Sequence, residues 1–265
     1  MDKATLGGIV LAGLGILGGM MIEGGKIAQI LQPTAAMIVL GGTIGGVMIS
    51  YPLPVVIASF KRLNQVIFDR GIDLEALIKE MLVYAQKARK EGIVSLDSEL
   101  ENVQNPFLKK SLMLAIDGTE PEELRKIMEL EMENQAEQEE KGPQVFEAAG
   151  GYAPTMGIVG AVRGLIQVMQ HLSDVSEVGR GIAVAFVATI YGLVCANLFF
   201  LPSAGKLKHR NRQEELTREM ILEGVISILE GLNPRMVETK LRGYVAESHS
   251  KPAEKEKEKV LEPVR

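Results

Sequence analysis

Charged residues along this chain fall in blocks. They are almost absent from residues 4–22, 34–58, 148–170 and 181–203, whereas 60–147 and 204–265 hold most of the Lys, Arg, Asp and Glu. Each apolar block is long enough to cross a bilayer, which takes roughly 20 residues at 1.5 Å rise for about 30 Å of hydrocarbon. The pattern predicts four transmembrane helices. The first block follows Lys3 and lacks a polar segment with a small-x-small cleavage site, so it reads as a retained anchor rather than a signal peptide.

The charged blocks carry a helical period. From Asp73 to Gly92, the residues Leu74, Leu77, Ile78, Met81, Leu82 and Ala85 recur at three- and four-residue steps, and Gly92 supplies a stop. A second helix is expected from Thr119, with Pro121 in its first turn and Glu122 completing a capping box. It runs through Leu124, Ile127 and Met128 into an acidic stretch, Glu129 to Glu140. A third, Glu214 to Leu229, repeats Leu216, Met220, Val225, Ile228 and Leu229. From Ser248 the Lys-Glu alternation with Pro252 and Pro263 predicts a disordered tail.

Orientation follows from the basic residues. Lys61, Arg62 and Arg70 follow the second block and Lys206, Lys208, Arg210 and Arg212 the fourth, while the connectors 23–32 and 171–180 hold only Lys26 and Arg180. The long segments and both termini are therefore expected in the cytoplasm. The chain then divides into a transmembrane hairpin over 1–58 (spans 4–22 and 34–58) and a cytoplasmic helical loop domain over 59–147. A second transmembrane hairpin, 148–203 (spans 148–170 and 181–203), leads to a cytoplasmic helix over 204–247 and the tail, 248–265. The fold class is all-α, a polytopic membrane protein with a cytoplasmic helical domain.

Composition narrows the function. The net charge of −5 is modest and no basic stripe carries interleaved aromatics, which argues against nucleic-acid binding. The single cysteine, Cys195, lies inside an apolar block and reads as a small packed residue. No Walker loop, nucleophile elbow, HExxH or Cys/His cluster occurs, and His171, His209 and His249 are scattered. Neither an enzyme nor a metal site nor a cofactor is expected.

Within the membrane blocks, no Asp or Glu lies between Ala148 and His171 or between Gly181 and Gly205. Proton relays across bilayers use carboxylates or histidines, so any ion flow through this chain needs a titrating group from a second subunit. Pro154 and Pro202, each near a cytoplasmic helix end, are expected at similar depth in an antiparallel pair, bending their helices. Thr189 and Ala161 count out as roughly level too, a hydroxyl beside a small residue. They suit an ion path, although Thr189 bonding only its own i−4 carbonyl fits the spacing equally. Gly15/Gly19, Gly41/Gly45, Gly42/Gly46 and Gly160/Gly164 form small-xxx-small ridges that allow close helix approach.

The run Ala153-Pro154-Thr155-Met156-Gly157-Ile158-Val159-Gly160-Ala161-Val162, followed by Gly164-Leu165-Ile166, resembles the third-span signature of the MotA/PomA stator family, related to ExbB/TolQ proton channels. The resemblance extends over the Gly-rich N-terminal hairpin, Ala88-Arg89-Lys90-Glu91-Gly92 before Asp97, Val184-Ala185-Phe186-Val187-Ala188-Thr189-Ile190-Tyr191-Gly192, and Pro202. It implies a stator subunit in a bacterial inner membrane, forming a ring of five around two copies of a MotB-like single-span partner whose aspartate binds the translocated ion. Pro154, Ala161, Thr189 and Pro202 match ion-path and coupling positions of that family. Arg89, Lys90 and Asp97 match loop charges that engage the rotor protein FliG. Read without the resemblance, those three form a solvated helix end, with Arg89 and Lys90 favourable at the C-terminal dipole.

Two positions depart from the pattern. Sodium-driven relatives tend to carry threonine where this chain has Ala161, which favours protons over sodium. Arg163 stands where the family has an apolar residue, about 200° around the helix from Ala161. It is expected to snorkel to the headgroups or to pair with Glu23. The competing readings are an ExbB/TolQ-like energiser of outer-membrane transport, which has three spans, and a membrane scaffold without ion flux.

Overall fold

The computed structural model describes residues 3–68 and 73–249; Arg70 and the tail from Ser250 onward lie outside them. In chain order the helices are α1 (Lys3–Ile22), α2 (Pro33–Ser50), α3 (Leu53–Phe68), α4 (Leu74–Glu91), α5 (Pro106–Ile116), α6 (Pro121–Gln170), α7 (Val175–Val194), α8 (Leu201–Leu229) and α9 (Pro234–His249). Short 3₁₀ turns cover Ile27–Gln29 and Ile93–Glu99, and a π-helical turn, Cys195–Phe200, joins α7 to α8. The described residues contain no strand. The chain forms two compact units, one of Met1–Arg70 with Gln138–Arg210, the other of Gly71–Glu137 with Asn211–Arg265.

Local chemistry sets the helix ends. α2 opens on Pro33 and stops at Ser50, because Tyr51 precedes Pro52 and is extended at φ −132°, ψ 143°. The apolar block 34–58, expected as one span, is therefore two helices. α7 begins at Val175, six residues before the expected 181, because Asp174 accepts the N–H groups of Ser176 (2.9 Å) and Glu177 (3.3 Å). α6 opens at Pro121, where the Leu124 N–H reaches the Glu120 carbonyl, so Thr119, the expected cap, lies one residue before the observed one. The loop helix and the expected third span are one continuous helix, running through Pro143 and Pro154.

Among the described residues, three helical stretches are long and apolar enough to cross a membrane: Ala4–Ile22, Pro33–Ser50 and a window within Val175–Leu229. The expected span 148–170 is not among them. Arg163, Gln167, Gln170, Pro154 and the glycines dilute its apolar content.

The second unit buries Leu77, Ile78 and Met81 of α4 with Leu108 and Leu112 of α5, Leu124 and Met128 of α6, Met220 and Ile221 of α8, and Leu241 of α9. α4 follows the predicted period from its Asp73 cap, which accepts the Ala76 N–H, to Gly92 at φ 87°, a left-handed setting that favours glycine. At the edge of this core Glu223 accepts from Lys240 Nζ (2.8 Å) and from Arg125 (2.9 Å). Burial alone would raise the Glu223 carboxyl, but these two cations outweigh it and hold it below the usual carboxylate range. A depressed carboxylate stabilises the folded state above its unfolded value, and that contribution is lost as pH falls through the folded value. Unfolding of the purified chain between neutral and strongly acidic pH is expected to show this acid-side loss, and Glu223→Gln to flatten it.

Candidate functional site

The first unit is built around a seam of small residues between α6 and α7. A Cβ on Gly157 would lie 3.0 Å from the Ala188 carbonyl oxygen, and one on Gly160 would lie 2.6 Å from the Ala188 Cβ. One on Gly164 would meet the Gly181 carbonyl at 2.7 Å and the Ala185 amide at 2.9 Å. On α7, a Cβ on Gly192 would stand 2.6 Å from the Ala153 carbonyl and 3.1 Å from the Pro154 Cα. In lipid, where helices gain no hydrophobic drive from meeting, such approach supplies the dispersion contact that holds them together. Of the four expected ridges, Gly160/Gly164 and Gly42/Gly46 meet neighbours this closely; Gly15, Gly19, Gly41 and Gly45 have open space.

Helix α2 packs across the seam. Its buried column Ala35, Val39, Thr43 and Val47 points inward, and Ala35 and Val39 cluster with Val187 and Ala188. Gly42 leaves room for the Met156 side chain and Gly46 for the Tyr152 ring. At the Tyr51–Pro52 break, Val47, Val56 and Leu63 join Phe146, Ala153, Ala196, Phe200 and Leu207 in a second cluster. Phe146 is fully buried and meets Phe60 edge-on, with ring centroids 5.0 Å apart.

The register assigns depths. Gly160 faces Ala188, so their neighbours Ala161 and Thr189 are level, as the residue count predicts. Both are half-buried. The Thr189 hydroxyl donates to the Ala185 carbonyl at 3.1 Å, the i−4 bond that the spacing allowed, and its lone pairs remain free to accept.

The two prolines are not level. Pro154 lies against Gly192, ten residues ahead of Pro202, whereas Leu201 covers Gly150. The offset is on the order of 10 Å, between the roughly 6 Å from Gly150 to Pro154 and the roughly 15 Å from Gly192 to Pro202. Nearness to the end of a charge-free block is a coarse ruler, and the register is set where small residues let backbones touch. The prolines also act differently. Helix α6 continues through Pro154, while Pro202 follows the π-helical turn, in which the Leu201 N–H reaches back to the Ala196 carbonyl. The widened turn makes room for a proline ring that would otherwise strike the carbonyl four residues earlier. Asn197 donates to the Leu193 carbonyl at 2.9 Å beside it.

Arg163 is exposed on α6, and no hydrogen bond or ion pair joins it to Glu23 or to any other described residue. The pairing with Glu23 is thus not formed within the chain. Arg163→Leu is expected to leave membrane levels and torque unchanged; a selective loss of ion flux would place Arg163 in the path.

In the second unit Arg89 and Lys90 occupy the last turn of α4, and Asp97 lies in the 3₁₀ turn after Gly92. All three are exposed and without a side-chain partner among the described residues, while their neighbour Lys87 pairs with Glu99 at 2.6 Å. Among the described residues no group of three His, Cys, Asp or Glu could hold a metal.

Sequence reasoning passed over Tyr152 and Tyr191, whose hydroxyls reach α2 and its leading connector. It also passed over the bond from Asn197. A polar residue inside an otherwise apolar block was the signal available for each.

The profile of the MotA/TolQ/ExbB proton channel family matches residues 99–220, and that of the motility protein A N-terminal region matches residues 6–92. Motility protein A of Bacillus subtilis is 38% identical over 92% of this chain and 91% of its own length. The solved structure of C. jejuni MotAB superposes with a TM-score of 0.89 at 33% identity, covering 95% of this chain and 98% of that one. The flagellar MotAB stator complex of Bacillus subtilis gives a TM-score of 0.84 at 38% identity, covering 98% and 100%. Likeness at this level along nearly the whole chain settles its place: it belongs to the motility protein A family, the flagellar stator channel subunits of the MotA/TolQ/ExbB proton channel family.

Proposed function

We propose that the chain conducts protons only together with a MotB-like single-span subunit, whose membrane aspartate supplies the titrating group that residues 148–170 and 181–203 lack. The observation that carries this is the α6–α7 seam itself: a closely packed pair with a half-buried hydroxyl at Thr189 and no Asp or Glu over 148–170 or 181–203. The solved relatives are MotAB complexes, which supports a companion of that kind. Five copies form a ring around two copies of the partner, in a bacterial inner membrane. The four spans are 4–22, a second starting at 34, 148–170 and one built on α7, with 59–147 and 204–247 and both termini in the cytoplasm.

Ion binding and release at the partner aspartate alternately favour different contacts with Thr189, Ala161, Pro154 and Pro202, so that the ring steps about its axle. Torque passes to the rotor protein FliG through Arg89, Lys90 and Asp97, whose exposure leaves them available. The ion is the proton, because Ala161 offers no hydroxyl to replace part of sodium's hydration shell. Swimming speed of stator-null cells carrying this chain and its partner, measured against sodium concentration at fixed pH, is expected to stay flat. A rise with sodium would overturn the proton assignment.

A further inference from the structure

Two phenols tie the ion-path helices to α2 from behind. At one end of α2, Ser50 Oγ gives its only proton to the Gly46 carbonyl (3.0 Å), so the 2.8 Å contact between Ser50 Oγ and Tyr152 Oη is a bond donated by the tyrosine of α6. At the other end, Tyr191 of α7 donates to the Ile30 carbonyl (2.5 Å) and accepts the N–H of Gln32 (3.3 Å), the residue that caps α2. Each path helix thus contributes one tyrosine, and together they hold both ends of the same strut.

The azimuths give the bonds their meaning. At 100° per residue Tyr152 lies about 180° around α6 from Ala161, and Tyr191 about 160° around α7 from Thr189. A bond made on the back of each helix therefore sets the rotation that presents the candidate path residues on its front. The seam confines that rotation to the glycine face of α6, and the small residues there, such as Gly157, Gly160 and Ala188, leave the finer angle to contacts made elsewhere. Packing of the Tyr152 ring on Gly46 positions the phenol, and the hydroxyl completes the lock.

We propose that Tyr152 and Tyr191 are positioning residues of the ion path, a two-point clamp that fixes how α6 and α7 are rotated against α2. The proposal rests on the stator reading above. It assigns no ion contact to either hydroxyl.

The test uses the full chain with its partner in stator-null cells, following membrane level, co-purification of the partner and swimming speed across pH. Tyr152→Phe and Tyr191→Phe keep the rings and remove only the oxygen. Each is expected to leave levels and co-purification unchanged and to cut speed by about fivefold, the fold-change a typical net hydrogen bond commands in an equilibrium. The shape of the pH profile should also change, since the path residues are re-aimed; a mere loss of protein scales speed evenly at every pH. Ser50→Ala should reproduce Tyr152→Phe, and the pair together should be no worse than either alone. Wild-type speed in both phenylalanine variants, even scaling across pH, or additive effects of Ser50→Ala and Tyr152→Phe would each overturn the clamp. Failure of the unaltered chain to restore swimming would instead overturn the stator reading, and the clamp with it.

Discussion

Gly192→Ala is expected to abolish motility. The added Cβ would sit 2.6 Å from the Ala153 carbonyl oxygen and 3.1 Å from the Pro154 Cα, and both are backbone atoms that cannot swing aside. α6 and α7 would have to part, and the separation would spread along the seam, because neighbouring small residues depend on the same close approach. Gly164→Ala should behave alike, with its Cβ 2.7 Å from the Gly181 carbonyl. Gly243→Ala in α9, where nothing lies within 4 Å, is the control and should be silent or mildly stabilising. Membrane levels measured by immunoblot alongside swimming will separate a hairpin that fails to accumulate from one that inserts and does not conduct. Full motility in Gly192→Ala would show that the seam is looser than described.

The second large effect belongs to the other unit. Leu124 is fully buried among α4, α5, α8 and α9 residues. Leu124→Ala should cost about 2–5 kcal/mol, the range for truncating a buried leucine. Domains of ordinary stability hold roughly 5–15 kcal/mol in total. The variant is therefore expected to swim at low temperature and stop on warming, and to unfold at lower denaturant when purified. Leu130→Ala, at a position that is 60% exposed, should change neither.

Much of the architecture was legible because two physical rules act on short stretches of sequence. Apolar length marked the stretches at 4–22, at 33–50 and within 175–229, though not 148–170, and the 3.6-residue period marked α4 and the later part of α8. Gly92 announced the end of α4, since its left-handed setting suits a residue without a Cβ. What the apolar blocks concealed were backbone events inside them. Tyr51–Pro52 breaks the second block into α2 and α3, although an X-Pro pair was in plain view. Asp174 with Glu177 three residues on was an equally visible cap, and it starts α7 earlier than the charge pattern indicates.

The site was legible in parts for a related reason. Thr189 and Ala161 came out level because both were counted from the same connector, where errors are small. Pro154 and Pro202 did not, because each was placed from a different block edge, while their depths are set by Gly192 and Gly150. The π-helical turn before Pro202 and the hydroxyl bonds of Tyr152 and Tyr191 are tertiary facts. The partners of those two phenols lie at least 102 residues away in sequence, so no local pattern announces them.

The proposed ion path takes its acidic group from outside this chain. Proton uptake into liposomes holding the purified chain, with and without its single-span companion, tests that directly. Uptake only when the companion is present, and its loss when the companion's membrane aspartate becomes asparagine, is the expected result. A steady proton or sodium current through the chain alone would contradict it.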